Sequence, residues 1–253
     1  MPRALLPLAV LLLPLLPSAG CVVVIGGDSR SGPWVDGRRL AERHEEVLLA
    51  GAWDPAGLAV ESAFGDLRVE PTAGENRIRV VLWEEVPGDA TAVYENGRLS
   101  SRSRGGLRTA LGEVTVFARD PLPSLALATG QGDLALGGVA VAGNVCLRTG
   151  QGDIDLAELG ETGEVAISTG QGDAAVAGAT CARVEVRTGQ GDLALARVQA
   201  GEVELTTGAG DVEVDSCQLE RLAVRTGLGD IDVRNTHYGT GELTTGLGRV
   251  RGG

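Results

Sequence analysis

Aromatic residues are scarce in this chain of 253 residues, which has three Trp, two Tyr and two Phe, together 3% of the sequence. The abundance of glycine, with 39 residues, and the scarcity of aromatic side chains would suit a disordered chain. A content of 43% hydrophobic residues argues against disorder. The composition therefore favours a narrow, repetitive β core packed from Gly, Val, Leu and Ala.

Histidine and positive charge are also in short supply. The two histidines, His44 and His237, are far apart in the sequence and no Cys-x-x-Cys motif accompanies them, so a zinc site has little support. The formal net charge of −12 disfavours a nucleic-acid partner and a purely electrostatic hold on anionic lipid.

No apolar run is long enough to span a bilayer. The longest, residues 4–17, has fourteen residues where a spanning helix needs about 20. Preceded by Arg3 and followed by Ser-Ala-Gly before Cys21, it predicts a signal peptide over residues 1–20. The junction resembles a bacterial lipobox, although Ser18 stands where Leu is usual. The resemblance implies lipidation of Cys21, a membrane anchor and export to the cell envelope, and Val22 after the Cys favours the outer membrane, facing the periplasm or the surface. Residues 21–45 are predicted to be a tether.

The cysteines do not form a disulfide framework. Once Cys21 is assigned to lipid, the odd number that remains cannot all pair. Cys217 is predicted to be a small buried hydrophobe. It lies two repeats from Cys181, roughly 9.6 Å at β spacing, which is beyond the reach of a disulfide. The sequence leaves open whether Cys146, Cys181 and Cys217 stay reduced.

A repeat dominates the second half of the chain. Thr-Gly-x-Gly recurs every 19 or 20 residues, at Thr129, Thr149, Thr169, Thr188, Thr207, Thr226 and Thr245. Asp follows in six copies, at Asp133, Asp153, Asp173, Asp192, Asp211 and Asp230, and Arg249 takes its place in the seventh. A degenerate copy occupies residues 109–113, and Ala63-Phe64-Gly65-Asp66 echoes the motif further upstream. Such periodicity is the signature of a stacked repeat protein.

Each copy is predicted to be a strand, a tight turn and a second strand. Apolar residues alternate before the turn, as at Val145 and Leu147, and after it, as at Ile154 and Leu156, which indicates one buried and one wet face. A unit of 19–20 residues cannot bury its own apolar face, but stacking at about 4.8 Å buries a continuous core.

The sequence thus predicts an all-β protein built as a parallel β-helix or β-solenoid of about eight rungs over residues 106–253. A third inward position, mostly small and apolar, favours a three-sided β-helix over a flatter two-sheet β-roll; it comprises Val139, Leu159, Ala179, Val198, Cys217 and Thr236. Residues 46–105 are predicted to form an N-terminal β cap with irregular rungs. All three tryptophans fall in the N-terminal part of the chain, where bulky side chains would cover the open end of the core, with a binding role for Trp83 as the alternative.

At these points the chain resembles the bacterial "putative adhesin" family of uncharacterised β-strand-repeat domains. The resemblance rests on the turns at Thr129 to Thr245 and on the lead-in Gly65-Asp66-Leu67-Arg68-Val69, and it covers residues 46–253. It implies the solenoid fold and transfers no catalytic residue.

Two ladders of side chains are the candidate site residues. The six aspartates after the turn glycines would stack with a repulsion of about 1 kcal/mol between neighbours in water. They are expected to accept hydrogen bonds from turn N–H groups or threonine hydroxyls. The alternative is weak binding of calcium, the one cofactor considered. The repeating threonines share the buried parity and are expected to satisfy turn backbone, since no general base recurs beside them.

From Thr149 onward, the residue before the repeat threonine alternates between Arg and a small hydroxyl residue, as in Arg148, Ser168 and Arg187. This spacing avoids direct stacking of like charges, and Glu185 and Glu204 add negative charges to the face that carries the arginines. A solvated, aggregation-resistant face is expected, with a ligand-binding stripe as the alternative.

Catalysis is not expected, because the repeats differ in length by one residue and leave no insertion to build a cleft. The sequence predicts a non-catalytic envelope lipoprotein whose solenoid serves adhesion or binds a surface or periplasmic partner, which is an unidentified envelope protein or glycan. The alternatives are a self-associating scaffold, since the last rung before Gly253 is truncated, and a calcium-stabilised β-roll. Arg249 and Arg251 would oppose strand addition at that edge, which favours the binding module.

Overall fold

The computed structural model describes residues 24–25, 32–35 and 37–252, and this part of the chain is all-β, without a helix. The predicted signal peptide, Cys21 and residues 22–23, 26–31 and 36 of the predicted tether lie outside the described residues. The strands of the N-terminal part are β1 (Val24–Ile25), β2 (Trp34–Val35), β3 (Arg38–Arg39), β4 (Glu42–Leu49), β5 (Leu58–Ser62), β6 (Leu67–Pro71), β7 (Arg77–Glu84), β8 (Ala90–Glu95), β9 (Arg98–Ser103) and β10 (Thr109–Ala118).

The repeats form the remaining twelve strands. These are β11 (Leu125–Gln131), β12 (Leu134–Gly137), β13 (Val145–Gln151), β14 (Ile154–Glu161), β15 (Glu164–Gln171), β16 (Ala174–Gln190), β17 (Leu193–Ala209), β18 (Val212–Asp215), β19 (Gln218–Leu228), β20 (Ile231–Arg234), β21 (His237–Leu247) and β22 (Val250–Gly252). They pair in parallel, residue for residue, with Val145 beside Val165 and Val165 beside Val184. The predicted parallel solenoid is confirmed, with about seven turns.

Each turn has three sides. The first side precedes the Thr-Gly-x-Gly corner, the second follows it, and the third leads back to the first side of the next turn. Five of the six predicted third-side positions are fully buried, with exposed fractions of 3% or less, and Thr236 in the final turn is half-buried. The core is therefore closed on three sides by small and branched apolar residues.

A second corner separates the second side from the third, and its regularity is hidden in the sequence. Five residues after each turn aspartate or its equivalent, the backbone adopts a left-handed conformation with φ between 48° and 66°, at Gly138, Glu158, Gly178, Arg197, Ser216 and Asn235. Only two of these are glycine, so four residues accept a conformation that costs an L residue about 1 kcal/mol. Glu158 and Arg197 form an ion pair of 3.0 Å across the intervening Gly178.

The order of the N-terminal rungs differs from the sequence order. The degenerate copy at residues 109–113 was expected to stack directly beneath the first clean repeat. Instead, β5 and β6 lie between them: β5 pairs with β11, and β6 pairs with β12 on one side and β10 on the other. The upstream echo at residues 63–66 is thus the true neighbour of the first repeat. After β6 the chain forms strands β7 to β9, and β10 then returns to pair with β6 on the side opposite to the first repeat.

The cap is a mixed sheet at the N-terminal end of the solenoid. The central strand β7 pairs antiparallel with β4 and with β10. It turns Ile78, Val80 and Leu82 towards the solenoid core and Val81 and Trp83 away from it. β10 pairs antiparallel with the cap strand β7 and parallel with β6, while β5 and β6 stack in register with the first repeat.

Part of the predicted tether is structured. Val35 and Leu40 are buried against Val81 and Trp83, and β4 already begins at Glu42. Residues 32–35 and 37–45 thus cover the outer face of the cap, because the second apolar face of β7 needs a partner. Trp53 and Trp83 are buried, as expected of cap residues, whereas 46% of Trp34 is exposed.

Candidate functional site

The Thr-Gly-x-Gly corners form one continuous edge, in which the threonines hold adjacent turns together. Each Thr Oγ1 donates a hydrogen bond of 2.8–3.1 Å to the carbonyl oxygen of a turn glycine one rung earlier, from Thr129 to Gly65 through Thr245 to Gly229. The threonines of the first six copies are buried, with 2–6% exposed. Their hydroxyls are therefore occupied by the backbone.

The aspartates of this edge are also bonded across rungs. The backbone N–H of each turn aspartate donates to Oδ1 of the aspartate one rung earlier, at 2.7–3.0 Å, beginning with Asp133 and Asp66. The series ends at Arg249, whose N–H and guanidinium both bond to Asp230. The N–H bond from Arg249, then its side chain, lower the pKa of Asp230. Each stacked carboxylate therefore has a structural role, because it accepts a backbone hydrogen bond from the next rung.

Calcium binding at this edge stays a prediction. Within residues 24–25, 32–35 and 37–252, no three His, Cys, Asp or Glu side chains are grouped so that they could hold a metal ion. The outermost residues of the edge include Gln131, Gln151 and Gln171, whose amides bond to one another from rung to rung at 3.3–3.4 Å.

The outer face of the first side carries an ion-pair lattice in its later turns. Arg183 contacts Glu185, Glu202 and Glu204 at 2.5–3.3 Å, and Arg187 contacts Glu185 at 2.6 Å. Arg221 and Arg225 extend the pairing to the next turns. The lattice satisfies the charges internally, which fits the predicted solvated face.

A groove on the third side has a different character. It has a volume of about 350 Å³ and runs across four turns. An outward column of polar side chains lies along it in strict register: Thr180, Gln199, Gln218 and His237. The adjacent column supplies an apolar floor of Cys181, Ala200 and Leu219.

The polar column of this groove has no internal partners. Within the part of the chain that the structure describes, the side chains of Gln199, Gln218 and His237 make no hydrogen bond or ion pair, in contrast to the bonded glutamines of the turn edge. All four members are exposed. A row of amide donors and acceptors at about 4.8 Å spacing, beside an apolar floor, can bind a linear ligand rich in hydroxyl or amide groups.

This groove was not predicted from the sequence. His237 was considered only as a zinc ligand, and the other three residues were not singled out. The sequence does show a polar residue directly after the inward position of the third side in each of these turns. Because this residue changes from Thr to Gln to His, the column does not stand out as a repeat.

Among the residues that the structure describes, Cys146, Cys181 and Cys217 are free thiols. Cys217 is 1% exposed, as predicted, and burial raises the pKa of its thiol. Burial likewise raises the pKa of Cys181, in the groove floor, to about 11. The floor is therefore an uncharged, weakly nucleophilic surface.

In the described ranges, no helix is long and apolar enough to cross a membrane.

Comparison with known proteins confirms the predicted resemblance. Residues 142–251 match the family described as Toastrack DUF4097. No curated protein sequence matches the chain.

The chain is similar to several solved structures at low sequence identity. A putative adhesin from Bacteroides fragilis is 12% identical, with a TM-score of 0.54, and the match covers 83% of this chain and 96% of that one. A putative adhesin from Parabacteroides distasonis is 8% identical, with a TM-score of 0.49 and coverage of 83% and 96%. A putative lipid binding protein from the same organism is 11% identical, with a TM-score of 0.41 and coverage of 83% and 97%.

Proposed function

From the premise that residues 142–251 carry a Toastrack DUF4097 domain, we propose that the protein is a non-catalytic binding module of the bacterial cell envelope. It is exported, anchored through lipid on Cys21, and binds an extended envelope glycan along the third-side groove. The observation that carries the proposal is the in-register column of unengaged polar side chains, Thr180 to His237, beside an apolar floor.

The chemistry of the groove favours a glycan over a charged ligand. Each glutamine offers a donor and an acceptor without net charge, which suits hydroxyl groups, and the apolar floor suits the C–H faces of sugar rings. The equal spacing of successive side chains suits a repeating ligand that runs parallel to the solenoid axis. β16 and β17 run without a break past Thr180 and Gln199, so no loop covers the groove in these two turns.

The anchor is tested by the fate of a Cys21→Ser variant. We expect this variant to leave the membrane fraction for the soluble fraction, because the serine cannot be lipidated. A Cys146→Ser variant, which changes a half-buried thiol of the first side, serves as the control and should remain in the membrane fraction. Retention of Cys21→Ser in the membranes would contradict the anchor.

The groove is tested with the unlipidated Cys21→Ser protein and washed envelopes, with and without protease treatment. We expect binding that survives protease and falls roughly tenfold or more when Gln199→Ala and Gln218→Ala are combined, since each lost hydrogen bond is worth about 0.5–1.5 kcal/mol. The matched control combines Gln151→Ala and Gln171→Ala, which removes two amides of the turn edge.

Two outcomes would overturn this proposal. Binding that protease abolishes would make the partner a protein. Equal losses in the two double variants would remove the groove from the binding surface. In sedimentation velocity, a sedimentation coefficient that increases with protein concentration would instead favour the self-associating scaffold. A sedimentation coefficient that differs between calcium and EDTA would favour the calcium-stabilised β-roll.

A further inference from the structure

A second surface lies at the opposite region of the molecule from the late turns, on the cap. Three large apolar side chains are exposed together there: Trp34 (46%), Val86 (50%) and Leu107 (38%). They line one open cleft of about 470 Å³, together with Arg38 and Arg39. We call Trp34, Val86 and Leu107 the apolar tip.

Hydrogen bonds connect the loop that follows Val86 to the loop that carries Leu107. Gly105 N–H donates to Asp89 Oδ1 at 2.6 Å, and Arg104 N–H donates to the Asp89 carbonyl at 2.9 Å. The Leu107 N–H donates to Ser103 Oγ at 2.7 Å. These bonds place Val86 and Leu107 on one surface.

Arginines surround the tip although the chain as a whole is acidic. Arg38 and Arg39 are exposed in the cleft, and Arg104 is exposed on the loop that leads to Leu107. The nearby carboxylate of Glu85 is engaged, since it is 12% exposed, pairs with Arg38 at 3.3 Å and accepts the Arg108 N–H. Because salt screens charges beyond about 8 Å, the local groups, which are the arginines together with Glu85 and Asp89, weigh more at the tip than the net charge of −12.

We propose that the apolar tip inserts into the surface of a lipid bilayer that contains anionic phospholipid. Exposed Trp, Val and Leu with flanking arginines are the combination that suits the headgroup boundary, where Trp prefers to lie and Arg meets lipid phosphate. The short distance in sequence between the tip and Cys21 also favours a membrane as the partner of the tip. Trp34 follows Cys21 by thirteen residues, a reach of at most about 45 Å, so a lipid on Cys21 and the tip meet the same membrane. The shared membrane depends on the proposed anchor, whereas the tip itself does not.

Tip insertion would orient the solenoid. With the cap on the membrane, the turns and the third-side groove extend away from the bilayer into the envelope. The tip would add a protein-borne contact to the membrane anchor proposed at Cys21.

The test uses the Cys21→Ser protein without the predicted signal peptide (residues 1–20), which lacks both the lipid and the apolar segment of residues 4–17, and vesicles of phosphatidylcholine alone or mixed with phosphatidylglycerol. We expect co-sedimentation that is stronger with phosphatidylglycerol, and a shift of tryptophan emission to shorter wavelength from Trp34, since Trp53 and Trp83 are already buried. Combining Val86→Ser with Leu107→Ser should weaken vesicle binding roughly tenfold.

The control combines Leu228→Ser with Leu247→Ser, which removes comparable exposed apolar area from the turn edge of the last turns, and it should bind as the parent does. Absence of binding to either kind of vesicle, or equal losses in the two double variants, would overturn the proposal. Self-association that only Val86→Ser and Leu107→Ser abolish would make the tip a contact between copies instead. Because no lipid is attached, the result is independent of whether Cys21 is lipidated.

Discussion

Replacing Gly191 with alanine is expected to destabilise the protein by about 4 kcal/mol or more, enough to unfold the turns around it. Gly191 has a φ of 144°, and a Cβ at this position would lie 2.0 Å from the carbonyl oxygen of Gly172 in the preceding rung. That oxygen also accepts the Thr188 hydroxyl at 3.0 Å, and the neighbouring Asp192 N–H bonds to Asp173. A methyl group cannot enter without separating the two rungs and breaking these bonds.

The matched control is Gly137→Ala. Gly137 lies on the second side, has no left-handed backbone, and a Cβ added to it would meet no other atom within 4 Å. The equivalent positions in the next turns are Ala157 and Ala177, so the stack already accepts a methyl group there. We expect this variant to be neutral or more stable by up to about 1 kcal/mol, since alanine restricts the unfolded chain.

Urea denaturation followed by far-ultraviolet circular dichroism compares the two variants with the parent. A Gly191→Ala protein within about 1 kcal/mol of the parent would show that the rungs can separate locally at little cost, contrary to the close stacking described above.

The contrast between these glycines shows why the solenoid was predictable. The turn motif recurs because the turn of every rung packs equally closely against the turn of the neighbouring rung. The same residues are therefore required in all seven copies. The inward positions recur for the same reason. The three-sided core could therefore be predicted down to individual residues such as Leu159 and Val198.

The cap could not be ordered from the sequence, because nothing in it repeats. Thr109 to Glu113 resembles a turn, and its spacing from Thr129 equals that of a true repeat. Whether the rung at residues 58–71 lies before or after it in space depends on the antiparallel pairing of β7 with β10, which no period reveals. Proximity in sequence therefore suggested the wrong neighbour.

The two proposed binding surfaces were hidden for a related reason. The groove column holds three different residue types in four turns, and what distinguishes it is the lack of internal partners, a property of the folded state. The apolar tip draws Trp34, Val86 and Leu107 from three separate segments. None of them stands out alone in the sequence, and only the fold of the cap brings them together.

The second large effect is expected from Glu84, a buried carboxylate in the cap with 1% exposed. Its Oε1 accepts the Gly88 N–H at 2.8 Å and its Oε2 accepts the Ala90 N–H at 2.6 Å, while His44 Nδ1 lies 2.9 Å from Oε1. In Glu84→Gln, one oxygen becomes an NH₂ group that faces a backbone N–H. We expect a loss of about 2–3 kcal/mol at pH 7, because a buried donor loses its acceptor. Glu95→Gln, which removes an exposed ion pair with Arg102, is the control and should cost less than about 1 kcal/mol.

The loss should depend on pH in a defined direction. Burial alone would raise the pKa of Glu84, but the N–H groups of Ala90 and Gly88 and the proximity of His44 outweigh it, so the pKa is lowered in the folded protein. A carboxyl group whose pKa is lower folded than unfolded stabilises fully above its unfolded pKa of about 4.3, and this contribution disappears as the pH falls towards the folded pKa. The difference between the parent and Glu84→Gln in urea denaturation should therefore shrink below about pH 4. A difference that stays constant from about pH 7 to about pH 3.5 would mean that packing, and not the ionised carboxylate, carries the effect.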